Sequence, residues 1–281
     1  MKRYGMKGLM AILAVALVLG LATSALAAGK LSFGVKGGMG LMVPLIKSED
    51  LLGEYCWNDT VDDLNQYLKD IKDLAEIMGG TASIDLAEKI TRSWDVEGYA
   101  QYRITEMFGL RGSAGYLTGM KSDFGYDATI SEGTEQLTIK EMNALSVSCL
   151  SISLEPTLVL PLGKFLLTFG AGPGYYIGKS SFNDSIEISS TTEGKMIDLT
   201  MDSSLSGSKI GYHGFLEGEY STGSLTIGAE LSYRSTGEIE TTGEMTIKGE
   251  EFDVPVDETE EATGKLDFSG LYILLKIGFI I

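Results

Sequence analysis

Residues 270–281 read Gly-Leu-Tyr-Ile-Leu-Leu-Lys-Ile-Gly-Phe-Ile-Ile. Every odd position (Leu271, Ile273, Leu275, Ile277, Phe279, Ile281) is large and apolar. The even positions include Gly270, Lys276 and Gly278. Period-two alternation describes a β-strand with two unlike faces. In a soluble barrel the oily face points inward, and the outside would then be coated in glycine. Here the oily face is therefore read as outside, and the glycine-and-charge face as inside.

The same alternation recurs upstream. Leu225, Ile227, Ala229, Leu231 and Tyr233 oppose Thr226, Gly228, Glu230, Ser232 and Arg234. Phe165, Leu167, Phe169, Ala171 and Tyr175 oppose Thr168, Gly170, Gly172 and Gly174. Comparable segments begin near Leu31, Trp94, Phe108, Met142 and Ile210, making eight strands. Within residues 141–161 the pattern changes phase near Cys149-Leu150, which predicts a β-bulge. Short turns near Glu106–Gly109, Leu162–Lys164 and Ser221–Ser224 alternate with long polar connections at about 47–93, 122–140, 179–208 and 236–264. Short turns on one side and long loops on the other mark a transmembrane β-barrel. The expected fold is all-β: an eight-stranded antiparallel up-and-down transmembrane β-barrel over residues 28–281, with a helical insert at about 48–93 in the first long loop.

Residues 1–27 read as a signal peptide. Lys2, Arg3 and Lys7 precede an apolar run from Gly8 to Ala22, and Ala25-Leu26-Ala27 supplies small residues for cleavage. That run is shorter than the ~20 residues of a spanning helix. The chain carries 22 basic and 39 acidic residues, a formal charge of −17. This excludes sequence-independent nucleic-acid binding, which needs cations to displace phosphate counterions. Glycine is in excess, at 36 of 281 residues.

On the inward face lie Lys36, Glu97, Arg103, Arg111, Glu155, Glu217, Glu219, Glu230, Arg234 and Lys276. An eight-stranded barrel is only wide enough to be filled by side chains, so these charges are expected to pair as a structural lumen network. Tyr99, Tyr102, Tyr116, Tyr175, Tyr176, Tyr212, Tyr220, Tyr233, Phe108 and Phe165 cluster toward strand ends, and the outward members of this set are expected to form aromatic girdles. The insert shows helical spacing through Val61, Leu64, Leu68, Ile71, Ala75 and Met78. Asn58, Asp59 and Thr60 are candidate caps and Gly79-Gly80 a stop. A shorter helix is expected from Ser83 to Arg92. Ser185–Ser189 with Met196–Thr200, and Ile239–Ile247 with its neighbours, suggest strands continuing beyond the membrane as a protruding sheet. The sole histidine, His213, points inward. Cys149 is expected to face outward or sit at the bulge, unpaired with Cys56. No catalytic, cofactor-binding or metal-ligating constellation is expected, and the acidic residues from Glu250 to Glu261 match no calcium loop.

The segment Trp94–Tyr116 (WDVEGYAQYRITEMFGLRGSAGY) runs strand, tight turn, strand. It resembles the corresponding hairpin of the small outer-membrane β-barrel family, which includes the OmpA transmembrane domain and OmpX-like proteins. The resemblance implies a Gram-negative-type outer membrane, contacts with its lipid and lipopolysaccharide, and insertion by the barrel-assembly machinery. The leading reading is a non-enzymatic structural or surface-interaction role through loops that meet a surface partner. The alternatives are a small passive pore, an outer-membrane lipid-modifying enzyme and a secreted ligand-binding barrel. The aliphatic Ile280-Ile281 ending departs from the family's usual terminal aromatic residue.

Overall fold

The structure is a computed structural model describing residues 30–41, 45–48 and 56–281. The expected signal peptide and Val43 lie outside the described residues. The strands are β1 (Lys30–Leu41), β2 (Leu45–Ser48), β3 (Thr81–Asp85), β4 (Ser93–Arg103), β5 (Phe108–Glu132), β6 (Glu135–Leu162), β7 (Phe165–Ser190), β8 (Gly194–Thr222), β9 (Leu225–Ser235), β10 (Ile239–Glu251), β11 (Val254–Asp267) and β12 (Gly270–Ile280). Among the described residues one helix, α1, spans Trp57–Ile77.

Eight strands close on themselves in the order β1-β4-β5-β6-β7-β8-β9-β12, and β12 pairs back onto β1. Every pairing in the ring is antiparallel. Turns at 104–107, 163–164 and 223–224 join neighbours on one side. The start of β1 and the end of β12 lie on that side, where Ser32 faces Ile280. All longer connections leave from the opposite side. The predicted eight-stranded up-and-down barrel is the observed one.

The outside of the ring is apolar. Phe33, Val35, Trp94, Val96, Leu216, Ile227, Leu231, Ile273, Leu275 and Ile277 are all exposed. Aromatic residues bracket this band. Phe108, Phe165, Tyr220 and Phe279 lie toward the short turns, and Trp94, Tyr116, Tyr175, Tyr212 and Tyr233 toward the long connections. Segments such as Trp94–Tyr102, Leu225–Tyr233 and Leu271–Phe279 run about nine residues between the two levels, the length of a tilted transmembrane strand. Tyr99 and Tyr176 do not join the girdles. Both point inward and are nearly fully buried, because their positions share the phase of the charged face.

β5 to β8 are far longer than a membrane requires, at 25, 28, 26 and 29 residues. Beyond the band their polarity inverts. The outer face becomes Asp123, Lys140, Ser146, Asn183, Asp202 and Ser204, while Phe124, Leu145, Val147 and Leu205 turn inward and are buried. The expected bulge at Cys149-Leu150 is not in β6, whose inward phase continues unbroken. The register shift lies in the facing strand, between Leu117 and Met120, with Leu117 opposite Cys149 and Met120 opposite Val147. Gly119 supplies the positive φ (+80°) there, and a Cβ would meet the Trp94 ring at 2.7 Å. The apparent phase change in the sequence was the interior turning from polar to apolar along one face.

The β10–β11 hairpin joins the extended part of β8, β2 joins β11, and β3 joins β5. Together they form an open sheet standing on one side of the barrel. Ser185 pairs with Thr200 and Ile188 with Ile197, so the predicted polar connections are largely strand. The helix buries Trp57, Val61, Leu68 and Ala75 in a cluster with Phe124, Leu145, Val147, Ile239, Leu266 and Phe268. The apolar content is thus divided between a lipid-facing band and a water-excluding core outside it.

The helix begins one residue before the expected caps, with Cys56 at the N-cap, and ends at Ile77 with Met78 as C-cap, followed by Gly79 (φ +75°). The second helix is absent: residues 81–85 are β3 and 86–92 are irregular. Side chains occupy the hydrogen bonds a helix would need. Asn65 Nδ2 donates to Ala87 O at 3.0 Å, and its Oδ1 accepts from Ala87 N at 2.8 Å. Asn58 makes the same pair of bonds with Ile90, at 2.9 and 2.8 Å. Glu88 N donates to Ser122 Oγ and Trp57 Nε1 to Glu88 O. Ala87 and Ile90 are buried as the pattern required, but on an extended chain.

Candidate functional site: the filled lumen and the emergent sheet

Strand alternation directs a ring of charges into the barrel. Lys36 Nζ donates to both Glu230 oxygens (3.0 and 2.8 Å) and pairs with Glu97. Arg111 bridges Glu217 (2.9 Å), Glu230 (3.0 Å) and Gln101 (2.9 Å). Lys276 holds Glu217 (2.6 Å) and Glu219 (2.5 Å). Arg234 holds Asp95 (2.5 Å) and Glu97 (3.0 Å). The guanidinium of Arg111 lies 4.0 Å from the Phe215 ring centroid, and Lys276 Nζ 4.0 Å from that of Tyr99. Such contacts suit cations taken out of water.

Nine of the ten predicted lumen residues are thus buried together. Arg103 is not. It ends β4 at the short-turn side, half-buried opposite Lys30. Asp95, Gln101 and His213 belong to the cluster and were not in the predicted set, although all three share its inward phase. His213 Nδ1 lies 2.7 Å from Glu155 Oε1.

Glycine makes room for these large side chains. A Cβ on Gly170 would enter the Phe215 ring, and one on Gly278 would enter the Tyr99 hydroxyl. Gly278→Ala should therefore overpack the lumen and cost about 1–3 kcal/mol. The temperature at which the unheated, fast-migrating form is lost on gels should fall accordingly. An unchanged transition would show that this site has slack.

Above the charges the lumen is closed by apolar side chains. Leu117, Cys149, Tyr176, Phe268 and Tyr272 are at most 1% exposed and belong to the apolar cluster that continues under the helix. Cys149 points inward and stands opposite Leu117, where the register shift begins, and neither it nor Cys56 forms a disulfide. Among the described residues no group of three or more His, Cys, Asp or Glu is arranged to hold a metal ion.

The inner face of the emergent sheet is aliphatic and only partly covered. Ile139, Ile186, Ile188, Ile197, Leu199 and Ile247 are all half-buried. Two carboxylates interrupt it, Glu141 on β6 and Asp184 on β7, one row apart across the strand pair. Asn143 Nδ2 donates to Glu141 Oε1 at 3.0 Å. Burial, and then the nearby Glu141 carboxylate, push the Asp184 carboxyl up to about 6. The folded state then binds more protons than the unfolded state between the ordinary carboxylate range and about pH 6, so stability falls as pH rises through that window. A carbon-detected NMR titration should place Asp184 near pH 6, and Asp184→Asn should flatten the loss. A midpoint near 4 would show that the carboxyl is solvated.

No protein-family model matches the chain, and no curated protein matches it. Solved structures similar to it include Ail, the attachment invasion locus protein of Yersinia pestis, in complex with the heparin analogue sucrose octasulfate. That match has 11% identity and covers 90% of this chain and 99% of that one, with a TM-score of 0.33. A second structure of Ail has 12% identity, with coverage of 89% and 98% and a TM-score of 0.32. The outer membrane protease OmpT of Escherichia coli has 7% identity, with coverage of 90% and 97% and a TM-score of 0.31. At these values the fold rests on the closed strand order of the chain itself. That closure, the outer apolar band and the one-sided short turns define an eight-stranded transmembrane β-barrel.

Proposed function

We propose that this protein is a non-conducting, non-enzymatic barrel of an outer membrane that carries an emergent sheet and helix for interaction with a partner. The observation that carries this reading is the division of the interior. Paired charges fill the lumen, and a seal of apolar side chains lies between them and the emergent sheet. A pore needs a continuous polar path, and a hydrolase needs its histidine within reach of substrate. His213 is buried among the lumen charges beneath the seal, which supports neither. Export by residues 1–27, assembly by the barrel-assembly machinery and contact with lipopolysaccharide belong to the same reading.

The emergent strands are acidic. β10 and β11 alone carry Glu240, Glu244, Glu250, Glu251, Asp257, Glu258, Glu260 and Glu261. Like charges repel, so a polyanion such as the sucrose octasulfate bound by Ail does not suit this surface, whereas a cationic partner does. Cell fractionation combined with heat-modifiable gel migration tests the placement, and planar-bilayer recording tests conduction. The expected result is membrane recovery, a heat shift and no stable channel. Recovery in the soluble fraction, or large steady conductance, would overturn the proposal.

A further inference from the structure

We propose that the inner face of the emergent sheet binds a cationic amphiphile, with its aliphatic chain on Ile139, Ile186, Ile188 and Leu199 and its protonated amine against Asp184 and Glu141. Three observations converge on this occupant. The first is the unfinished apolar floor. Sheet faces in a folded core are covered, yet these side chains remain half-buried. The helix covers Phe124 and Leu145 beside them and leaves the floor open. The helix itself presents Tyr67 and Leu74 as exposed apolar groups.

The second observation is the charge on that floor. Glu141 and Asp184 share one face one row apart. Among the described residues neither is in an ion pair with a lysine, arginine or histidine, unlike the lumen acids. Two carboxylates on an apolar surface repel each other and lose hydration. An ammonium between them removes both penalties, whereas a fatty carboxylate or a neutral chain removes neither.

The third observation is unused hydrogen-bonding capacity in the same place. Asp184 Oδ1 is buried without a partner, as is the hydroxyl of Ser203. Ser203 is 3% exposed and follows Met201, the residue opposite Asp184, by one row on the same face. Asn143 orients Glu141 by donating to it. From Asp184 to Ile188 the floor runs about 13 Å at ~3.3 Å per residue, enough for an alkyl chain of about eight to ten carbons.

The site is a property of the emergent sheet and does not depend on which membrane carries the barrel, so its failure and that of the proposed function are separable. The test uses the full barrel in lipid nanodiscs with labelled isoleucine methyl groups, titrated with octylammonium, octanol and octanoate. The expected result is saturable shifts at Ile139, Ile186, Ile188 and Ile197, with octylammonium acting at a concentration at least tenfold below octanol. Octanoate should be weaker than both. The lipid-band methyls of Ile227, Ile273 and Ile277 report partition into the bilayer and should not saturate. The double variant Asp184→Asn, Glu141→Gln should lose the preference for octylammonium over octanol while keeping its heat-modifiable migration. Equal action of the amine and the alcohol, shifts confined to the lipid-band methyls, or an unchanged preference in the double variant would each overturn the proposal.

Discussion

Arg111→Met is expected to destabilise the barrel by about 3–5 kcal/mol, the cost of breaking a buried ion pair from one side. Arg111 is fully buried and touches Glu217, Glu230 and Gln101 at once. Methionine keeps much of the volume and can still contact Phe215. The loss is therefore one of charge and donors, leaving carboxylates in a space without bulk water. Lys276 still holds Glu217 and Lys36 still holds Glu230, which places the cost toward the lower end of the range. Urea unfolding in lipid bilayers measures it. Adding Glu217→Gln should recover part of the loss, because one orphaned charge is then gone. If Arg111→Met alone is neutral, solvent reaches the lumen and the seal above it is not closed.

Leu275→Arg is expected to cost about 2–4 kcal/mol, the penalty for a cation at the middle of a lipid-facing strand. Leu275 is 71% exposed. It sits midway between Leu271 and Phe279 on β12, opposite Gly37 and Ala229. On a soluble protein a substitution at such an exposed position would fall within about 0.5 kcal/mol of neutral. The control is Thr246→Arg, on the polar outer face of β10, which is expected to be neutral. Both proteins are compared by urea unfolding in the same bilayers. Equal, near-zero effects would mean that both surfaces face water.

The barrel was legible because its signal is local. In β12 and β9 each residue's face follows from parity, and the structure keeps that parity from end to end. The lumen charges were legible for the same reason. Arg103 keeps the inward phase but lies at the open end, because parity specifies a face and not a depth. The helix was legible from Val61, Leu68 and Ala75, which are buried at the spacing that suggested them. The segment after it was misread because Ile84, Ala87 and Ile90 fit a helical period. Asn58 and Asn65, more than twenty residues earlier, take the backbone bonds that a helix would use. No local pattern records such a long-range claim on the backbone. The same limit explains Cys149. Its neighbours Leu145 and Val147 share its face. They are the inner face of a strand that has already left the membrane, so the sequence changes phase there without a bulge in β6.

The most direct test of the central claim is a spin-label accessibility scan along β8, from residue 200 to residue 220, after replacement of Cys56 and Cys149. Even positions face outward along this whole strand. Labels at 210, 212, 216 and 220 are expected to be exposed to oxygen dissolved in lipid and protected from a water-soluble nickel reagent. Labels at 200, 202, 204 and 206 should show the reverse, with the crossover just below Ile210. Uniform access of the nickel reagent to every even position would contradict a membrane-spanning barrel with a sheet that emerges from it.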